Sequence, residues 1–288
     1  MPSTRVLKRA LTKPNRERSA TASRPPLIRE LPLVIALYMA YKFGRRAANG
    51  QFADAHDNAE WIWSLERTLH LPSEARVQDL LMHSEILIRG INVYYATVHF
   101  PAMVLFLVWM YWRRPGHYVW VRWVLTWLTG AALVLHLLVP LAPPRLFRAT
   151  RMVDTGVLYG PAVYGKPKPD SMANQFAAMP SLHVGWAVFI AVALIMATRG
   201  RLRWLWLLHP LITLVAVVAT AHHYWMDGLV ACAILAVILV VLRPPRLGRA
   251  PAPDRAAADE EPPASAPEAT GARPVSPQRP AHLARRET

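Results

Sequence analysis

The sequence predicts an all-α fold: a polytopic membrane protein built as a bundle of six transmembrane helices, with short amphipathic helices on its outer side. Three observations predict it. Hydrophobic residues make up 53% of the 288-residue chain, yet its formal net charge is +15. Apolar blocks separated by short basic ones combine these two properties, and a soluble domain seldom does. Five blocks approach or exceed the roughly 20 residues that cross a hydrocarbon core at about 1.5 Å each. Finally, Arg residues collect beside alternate ends of these blocks, as the positive-inside rule requires.

Residues 1 to 30 hold eight Lys or Arg against two Glu and contain no apolar core, so they do not read as a secretory signal peptide. Residues 1–26 are expected as a basic, disordered cytoplasmic tail, a transit-peptide-like leader being the other reading. The six-helix membrane domain is expected over 27–243. Its first segment, Leu27 to Gly44, is weak, because Arg29, Glu30 and Lys42 must reach the interface. The second to sixth spans are Gly90–Trp112, Tyr118–Val139, Ser181–Thr198, Leu202–Ala219 and His222–Leu242. Arg113 and Arg114, the group Arg199, Arg201 and Arg203, and the group Arg243, Arg246 and Arg249 all fall on one side if both termini are cytoplasmic. The outer connections are then residues 45 to 89, residues 140 to 180 and a tight turn near Ala221. In the first of these, apolar residues recur at three and four around Trp61, Leu65 and Leu69. That spacing predicts two short helices lying at the interface, broken at Pro72 with Ser73 as a cap. Residues 244–288 are rich in Pro and Ala and are expected to be a disordered cytoplasmic tail. The single cysteine, Cys232, lies in an apolar block and can form no intrachain disulfide.

Ionisable residues at membrane depth are costly and mark function. Arg145, in PLAPPRLFRATR, follows the third span. His183, in PSLHVGW, opens the fourth, and His223 and Asp227, in HHYWMD, open the sixth. The alternation of spans brings all of them to the outer face. His223 and Asp227 are four apart and share a helix face. The carboxylate can accept from one imidazole nitrogen, fix the tautomer and leave the other nitrogen to attack. His222 is five from Asp227 and points round the helix, so His223 is the candidate nucleophile. A pair that only satisfies itself inside the bundle, or caps the helix, is the other reading. Ser181 is an N-cap or first-turn residue, and the free N–H groups of that turn make an anion site beside which His183 can donate a proton. An ordinary interfacial histidine is the plainer reading of His183. Arg145 can clamp phosphate oxygens with paired donors, whereas Arg148 and Arg151 read as snorkelling side chains. Together these residues describe a pocket for a phosphate monoester or diester.

On the second span Asn92, Tyr95 and His99 lie on one face. They form either a wall that contacts the substrate headgroup or acceptor, or a set of interhelical hydrogen bonds. Asp154, in MVDTG, either bonds an acceptor hydroxyl or shapes a loop turn. The stretch YGPAVYGKPKPD has the Pro and Gly of an irregular outer loop that could form a lid.

The motifs PPR, PSLH and HHYWMD, in this order and on these spans, resemble the three motifs of the type 2 phosphatidic acid phosphatase superfamily. They look most like its inositol phosphorylceramide synthase-type (inositolphosphotransferase) branch. The resemblance covers residues 30 to 243. It implies a six-helix membrane bundle and a phosphatase or phosphotransferase that needs no metal or other cofactor. It implies His223 as a nucleophile that forms a phosphohistidine, Asp227 as its partner and His183 as the general acid. Arg145 would bind phosphate, and Ser181 would line the same pocket. The chain departs from the common phosphatase pattern at Leu138, where that pattern has Lys, and at Leu182, where it has Gly. It departs again at Ala216 and Val217, where the pattern has Ser-Arg. These changes leave the pocket short of cations, a gap Arg148 can fill. They also leave the acceptor open between water and a hydroxyl, the latter making the protein a transferase of a polyol phosphate to a lipid.

The implied partners are the bilayer and a lipid-linked phosphate. The expected location is the plasma (inner) membrane, with both termini cytoplasmic and the active site extracytoplasmic. The positive charge sits in tails and cytoplasmic loops, so it does not imply nucleic acid. Two other classes compete: a membrane haem or metal protein using His99, His136, His183, His209 and His223, and a non-catalytic channel or scaffold. The phosphate reading requires the His183 and His223 rings to come within about 10 Å, so that both can flank one phosphorus.

Overall fold

The computed structural model describes residues 52–163 and 175–245, together with positions 25, 26, 28, 30, 32, 35 and 39. The chain divides into two compact units, Met1–Pro245 and Arg246–Thr288. The second unit lies outside the described residues, as do nearly all of the tail expected at 1–26 and the part of the expected lid from Tyr164 on. Of the weak segment Leu27 to Gly44, Ile28, Glu30, Pro32, Ile35 and Met39 are described, and all five are helical.

Among the described residues the regular structure is helical. The helices are α1 (Phe52–Thr68), α2 (Glu74–Met82), α3 (Glu85–Thr97), α4 (His99–Arg113), α5 (Pro115–Leu138), α6 (Thr155–Tyr159), α7 (Leu182–Ala197), α8 (Leu208–Ala219) and α9 (Trp225–Val241). A 3-10 helix, Arg201–Leu207, runs directly into α8. The only β interaction among these residues is a parallel bridge between Leu141 and Ala177.

Two helices, Pro115–Leu138 and Arg201–Ala219, are long and apolar enough to cross a membrane, and α3 with α4 makes a third if the pair is one span. α7 and α9 are apolar but shorter. The second span is not one straight helix over Gly90–Trp112. It starts at Glu85, where Ser84 caps it by accepting from Leu87 N at 3.4 Å, and it bends by 48° at Val98. Pro101 explains the bend, since it lacks an N–H and its ring crowds the carbonyl one turn back, at Thr97. The sixth segment is shortened because Thr220 to Tyr224 form the connecting turn, and α9 starts only at Trp225.

The core lies between α4, α5, α7 and α9. On α5 the buried residues Val121, Val124, Leu128 and Ala132 recur at three and four and meet Met103, Phe106, Phe189 and Leu235. The other face of α5 exposes Trp123 and Trp127, the greasy exterior expected of a helix that meets lipid. Small residues permit close crossings: a Cβ on Gly185 would meet Leu128 and Ala231 at 3.4 Å.

Direct contacts fix the direction of the helices. At one end Arg114 donates to Ala197 O at 2.7 Å and Trp120 Nε1 to Leu242 O at 2.7 Å, joining the start of α5 to the ends of α7 and α9. At the other end His136 Nε2 donates to Pro180 O at 3.2 Å, joining the end of α5 to the start of α7. α5 is therefore antiparallel to α7 and α9.

One expectation about charge changes. Glu30 does not reach for the interface. It is buried, paired with Arg122 and accepts from Tyr118 Oη at 3.0 Å. Trp61 and Leu69, of the apolar stripe expected at the interface, are exposed and turned away from the protein interior. The inward face is Ala55, Ala59, Ile62 and Glu66, whose small and polar members make it invisible to a count of large apolar residues. The break at Pro72 falls where expected, although the Ser73 side chain makes no capping bond.

Candidate active site

The turn between α8 and α9 sets the site. Ala221 adopts a left-handed conformation (φ 57°). His222 N and His223 N both donate to Val217 O, at 3.1 and 3.2 Å, closing the end of α8 tightly. His223 is thereby left two residues ahead of α9. Asp227 is the third residue of α9 and is fully buried. Its Oδ2 accepts from Tyr224 N at 2.9 Å, the reach-back contact of a helix cap, and from His223 Nδ1 at 3.1 Å. With Asp227 ionised the carboxylate only accepts, which assigns the His223 proton to Nδ1 and leaves a lone pair on Nε2. The main-chain oxygen of Asp227 accepts from Ser181 N at 3.0 Å. One residue thus binds the first turn of α9 to the start of α7.

Ser181 is the N-cap of α7, its side chain accepting from Val184 N at 3.5 Å, and His183 is the second residue of that helix. The His183 and His223 rings lie 6.1 Å apart between centroids, inside the separation one phosphorus can bridge. The positive ends of two helices meet here, together with first-turn N–H groups that their own helices cannot satisfy. Arg145 is docked on the same turn: its N donates to Ala221 O at 3.1 Å. Its side chain is 4% exposed, and Nε is 3.4 Å from Asp154 Oδ2. Its Nη2 donates to Gln175 Oε1 at 3.3 Å. Asp154 also caps α6, accepting from Val157 N at 3.1 Å.

The bent α3–α4 pair supplies the wall behind His183. Tyr95 stacks on His183 at 4.9 Å and lies 4.3 Å from His222. His99 is 4.2 Å from the His183 ring and stacks on Trp186 at 5.2 Å. Asn92 is placed differently. Its amide donates to Thr155 O at 2.8 Å and Gly160 O at 3.1 Å, and accepts from Thr155 Oγ1 at 2.7 Å. It clamps the loop around α6. Arg148 is exposed on the 3-10 turn Arg148–Thr150. His209 shares a hydrogen bond with Tyr94 Oη at 2.9 Å. Among the described residues no three or more His, Cys, Asp or Glu side chains are arranged to hold a metal ion.

Several residues of this neighbourhood were passed over in the sequence. Trp186 lies three after His183 on the same helix face, and that spacing could have found it. Gln175 sits in a loop without periodicity. Glu66 and Gln78 come from α1 and α2. Gln78 Nε2 donates to Ala219 O at 2.8 Å and to Val153 O at 3.0 Å, joining the end of α8 to the segment that carries Asp154. Glu66 Oε1 accepts from Met226 N at 2.8 Å. Burial, and then the Glu74 carboxyl facing it, push the Glu66 carboxyl up to about 9, with a smaller push from Asp227.

Comparison with known families finds a match to the PAP2 superfamily over residues 60–241. This stretch contains every candidate site residue. Neither curated proteins nor solved structures give a match. The family match spans well over half of the chain and carries the three motifs, so the protein belongs to the PAP2 superfamily, helical membrane proteins that act as phosphatases or phosphotransferases on lipid-linked phosphates.

Proposed function

We propose that the protein cleaves a lipid-linked phosphate ester at the extracytoplasmic face of the membrane through a covalent phosphohistidine. The observation that carries this reading is the His223–Asp227 pair set 6.1 Å from His183 across two helix N-termini. In the proposed reaction His223 Nε2 attacks phosphorus. The P–O bond to the lipid breaks, and the departing oxygen takes a proton from His183. Asp227 holds the His223 Nδ1 proton and stabilises the imidazolium that forms. Arg145 and the first-turn N–H groups of α7, capped by Ser181, neutralise the phosphoryl oxygens. In the second half His183, now neutral, takes a proton from the acceptor hydroxyl, which attacks phosphorus and releases His223. No metal enters these steps, because the positive helix ends and Arg145 supply the charge.

Water as the acceptor makes the protein a phosphatase. The departures at Leu138, Leu182, Ala216 and Val217 favour the second reading: a member of the inositol phosphorylceramide synthase-type branch that transfers a polyol phosphate to a lipid hydroxyl. The described apolar helices, the helical positions within Leu27 to Gly44 and the arginines at one end of the bundle support six spans with both termini cytoplasmic. Incubation with phosphate-labelled phosphatidic acid should leave acid-labile label on the wild type and none on His223→Ala. Equal labelling of the two proteins would remove His223 from the nucleophile's role.

A further inference from the structure

Glu66 reaches the site from outside every motif. It lies near the end of the outer helix α1 and is fully buried. Its Oε1 accepts from the N–H of Met226, the second residue of α9. A first-turn N–H has no acceptor within its own helix. A carboxyl supplied by another element therefore does for α9 what a capping side chain does from within. That first turn holds the reacting groups. Tyr224 N and the His223 ring both bind Asp227 Oδ2, and Ser181 N binds the Asp227 main-chain oxygen. Whatever fixes the first turn of α9 therefore fixes His223 relative to His183.

The surroundings decide which form of the carboxyl does this. On its own helix, Arg67 Nη2 stands 3.7 Å from Glu66 Oε2, but the same nitrogen binds Glu74 of α2 at 2.9 Å. From α9, Tyr224 and Asp227 face the group. One guanidinium thus serves two carboxyls in the presence of a third. A neutral carboxyl still offers Met226 a carbonyl oxygen, and it adds no negative charge beside Asp227.

We propose that Glu66 is a positioning residue of the phosphoryl-transfer site, holding the first turn of α9 through its hydrogen bond from Met226 so that the His223–Asp227 pair faces His183 in a fixed register. The proposal rests on the reading of His223 as the nucleophile.

The test compares Glu66→Gln, which keeps an acceptor oxygen of the same reach, with Glu66→Leu, which keeps the size and removes it. Full-length protein in detergent micelles is assayed with labelled phosphatidic acid, with His223→Ala as a reference. Glu66→Leu should lower kcat by about 10- to 100-fold, the cost of a small misplacement, with KM little changed. Glu66→Gln should restore kcat, and it should lose an alkaline limb that the wild type shows near about 9. Thermal melting supplies a readout if Glu66→Leu fails to fold. The stability contributed by protonated Glu66 is fully present below its ordinary value of 4.5 and is lost as pH rises through about 9, so the wild-type Tm should fall across that window more than that of Glu66→Gln. Unchanged kcat in Glu66→Leu, loss of activity in Glu66→Gln equal to that in Glu66→Leu, or identical pH profiles for Glu66→Gln and wild type would each overturn the proposal. Label on His223→Ala would instead overturn the nucleophile assignment beneath it.

Discussion

At the scale of single residues, Asp227 carries three tasks. One carboxylate oxygen orients His223 and caps α9, while its main-chain oxygen receives Ser181 N. Asp227→Asn keeps the backbone contact and an oxygen for Tyr224 N, but it no longer enforces the tautomer in which Nε2 keeps the lone pair required of the proposed nucleophile. That substitution should lower turnover of labelled phosphatidic acid by about 10⁴-fold while the melting profile stays cooperative. Turnover within a few-fold of wild type would mean the pair has only a structural part. The spacing of four between His223 and Asp227 made this contact legible in the sequence. The shared face of Tyr95 and His99 was legible by the same rule, and both rings pack on His183. Asn92 shares their face, yet it is used by the α6 loop, because a helix face says nothing of which element comes to rest on it.

At the scale of elements, each helix owes its position to a few polar ties as well as to apolar packing. The segment containing Glu30 joins α5 through Arg122 and Tyr118. Removing one partner of a buried ion pair leaves the other charge without compensation, so Arg122→Ala should destabilise the protein by about 3 kcal/mol. Thermal unfolding in detergent measures it, and adding Glu30→Gln to that variant should recover most of the loss. Equal melting of Arg122→Ala and wild type would make this pair peripheral. α1 and α2 teach the same lesson. They touch the two sides of the α8–α9 turn through Glu66 and Gln78, and the connection between them accepts from Trp225 Nε1 at Pro72 O, 2.7 Å. Apolar periodicity located these helices, and the Trp61 stripe it picked out lies away from the face of α1 that packs on the protein. The stripe Ala55, Ala59, Ile62 and Glu66 packs closely because it is small and carries one polar group that finds a partner.

At the scale of the whole molecule, the bundle has a direction. The histidines, Arg145 and the helix N-termini of α7 and α9 lie at one end. Arg114, Arg199, Arg201 and Arg203 lie at the other, where the ends of α7 and α9 meet the start of α5. A membrane potential and anionic cytoplasmic lipids favour the arginine end inside. Cys232 is the only cysteine, so Cys232→Ala gives a background for single reporters. A membrane-impermeant maleimide added to intact cells should label Ala149→Cys, beside the site, and should label Arg199→Cys only after permeabilisation. The opposite pattern would place the site in the cytoplasm.

The sequence by itself determined the helical membrane class, the approximate place of the apolar segments and the pairing of His223 with Asp227. All three are local: transfer to lipid and the 3.6-residue turn act along the chain and leave their period in it. The tertiary structure alone decided that Tyr95 and His99 of the bent α3–α4 pair pack on His183, that Arg145 lies between Asp154 and Gln175, and that Glu66 of α1 accepts from Met226 N at the start of α9. These depend on which surfaces meet after the chain has folded back on itself, and contacts between positions as distant as Glu66 and Met226 leave no period for the sequence to display.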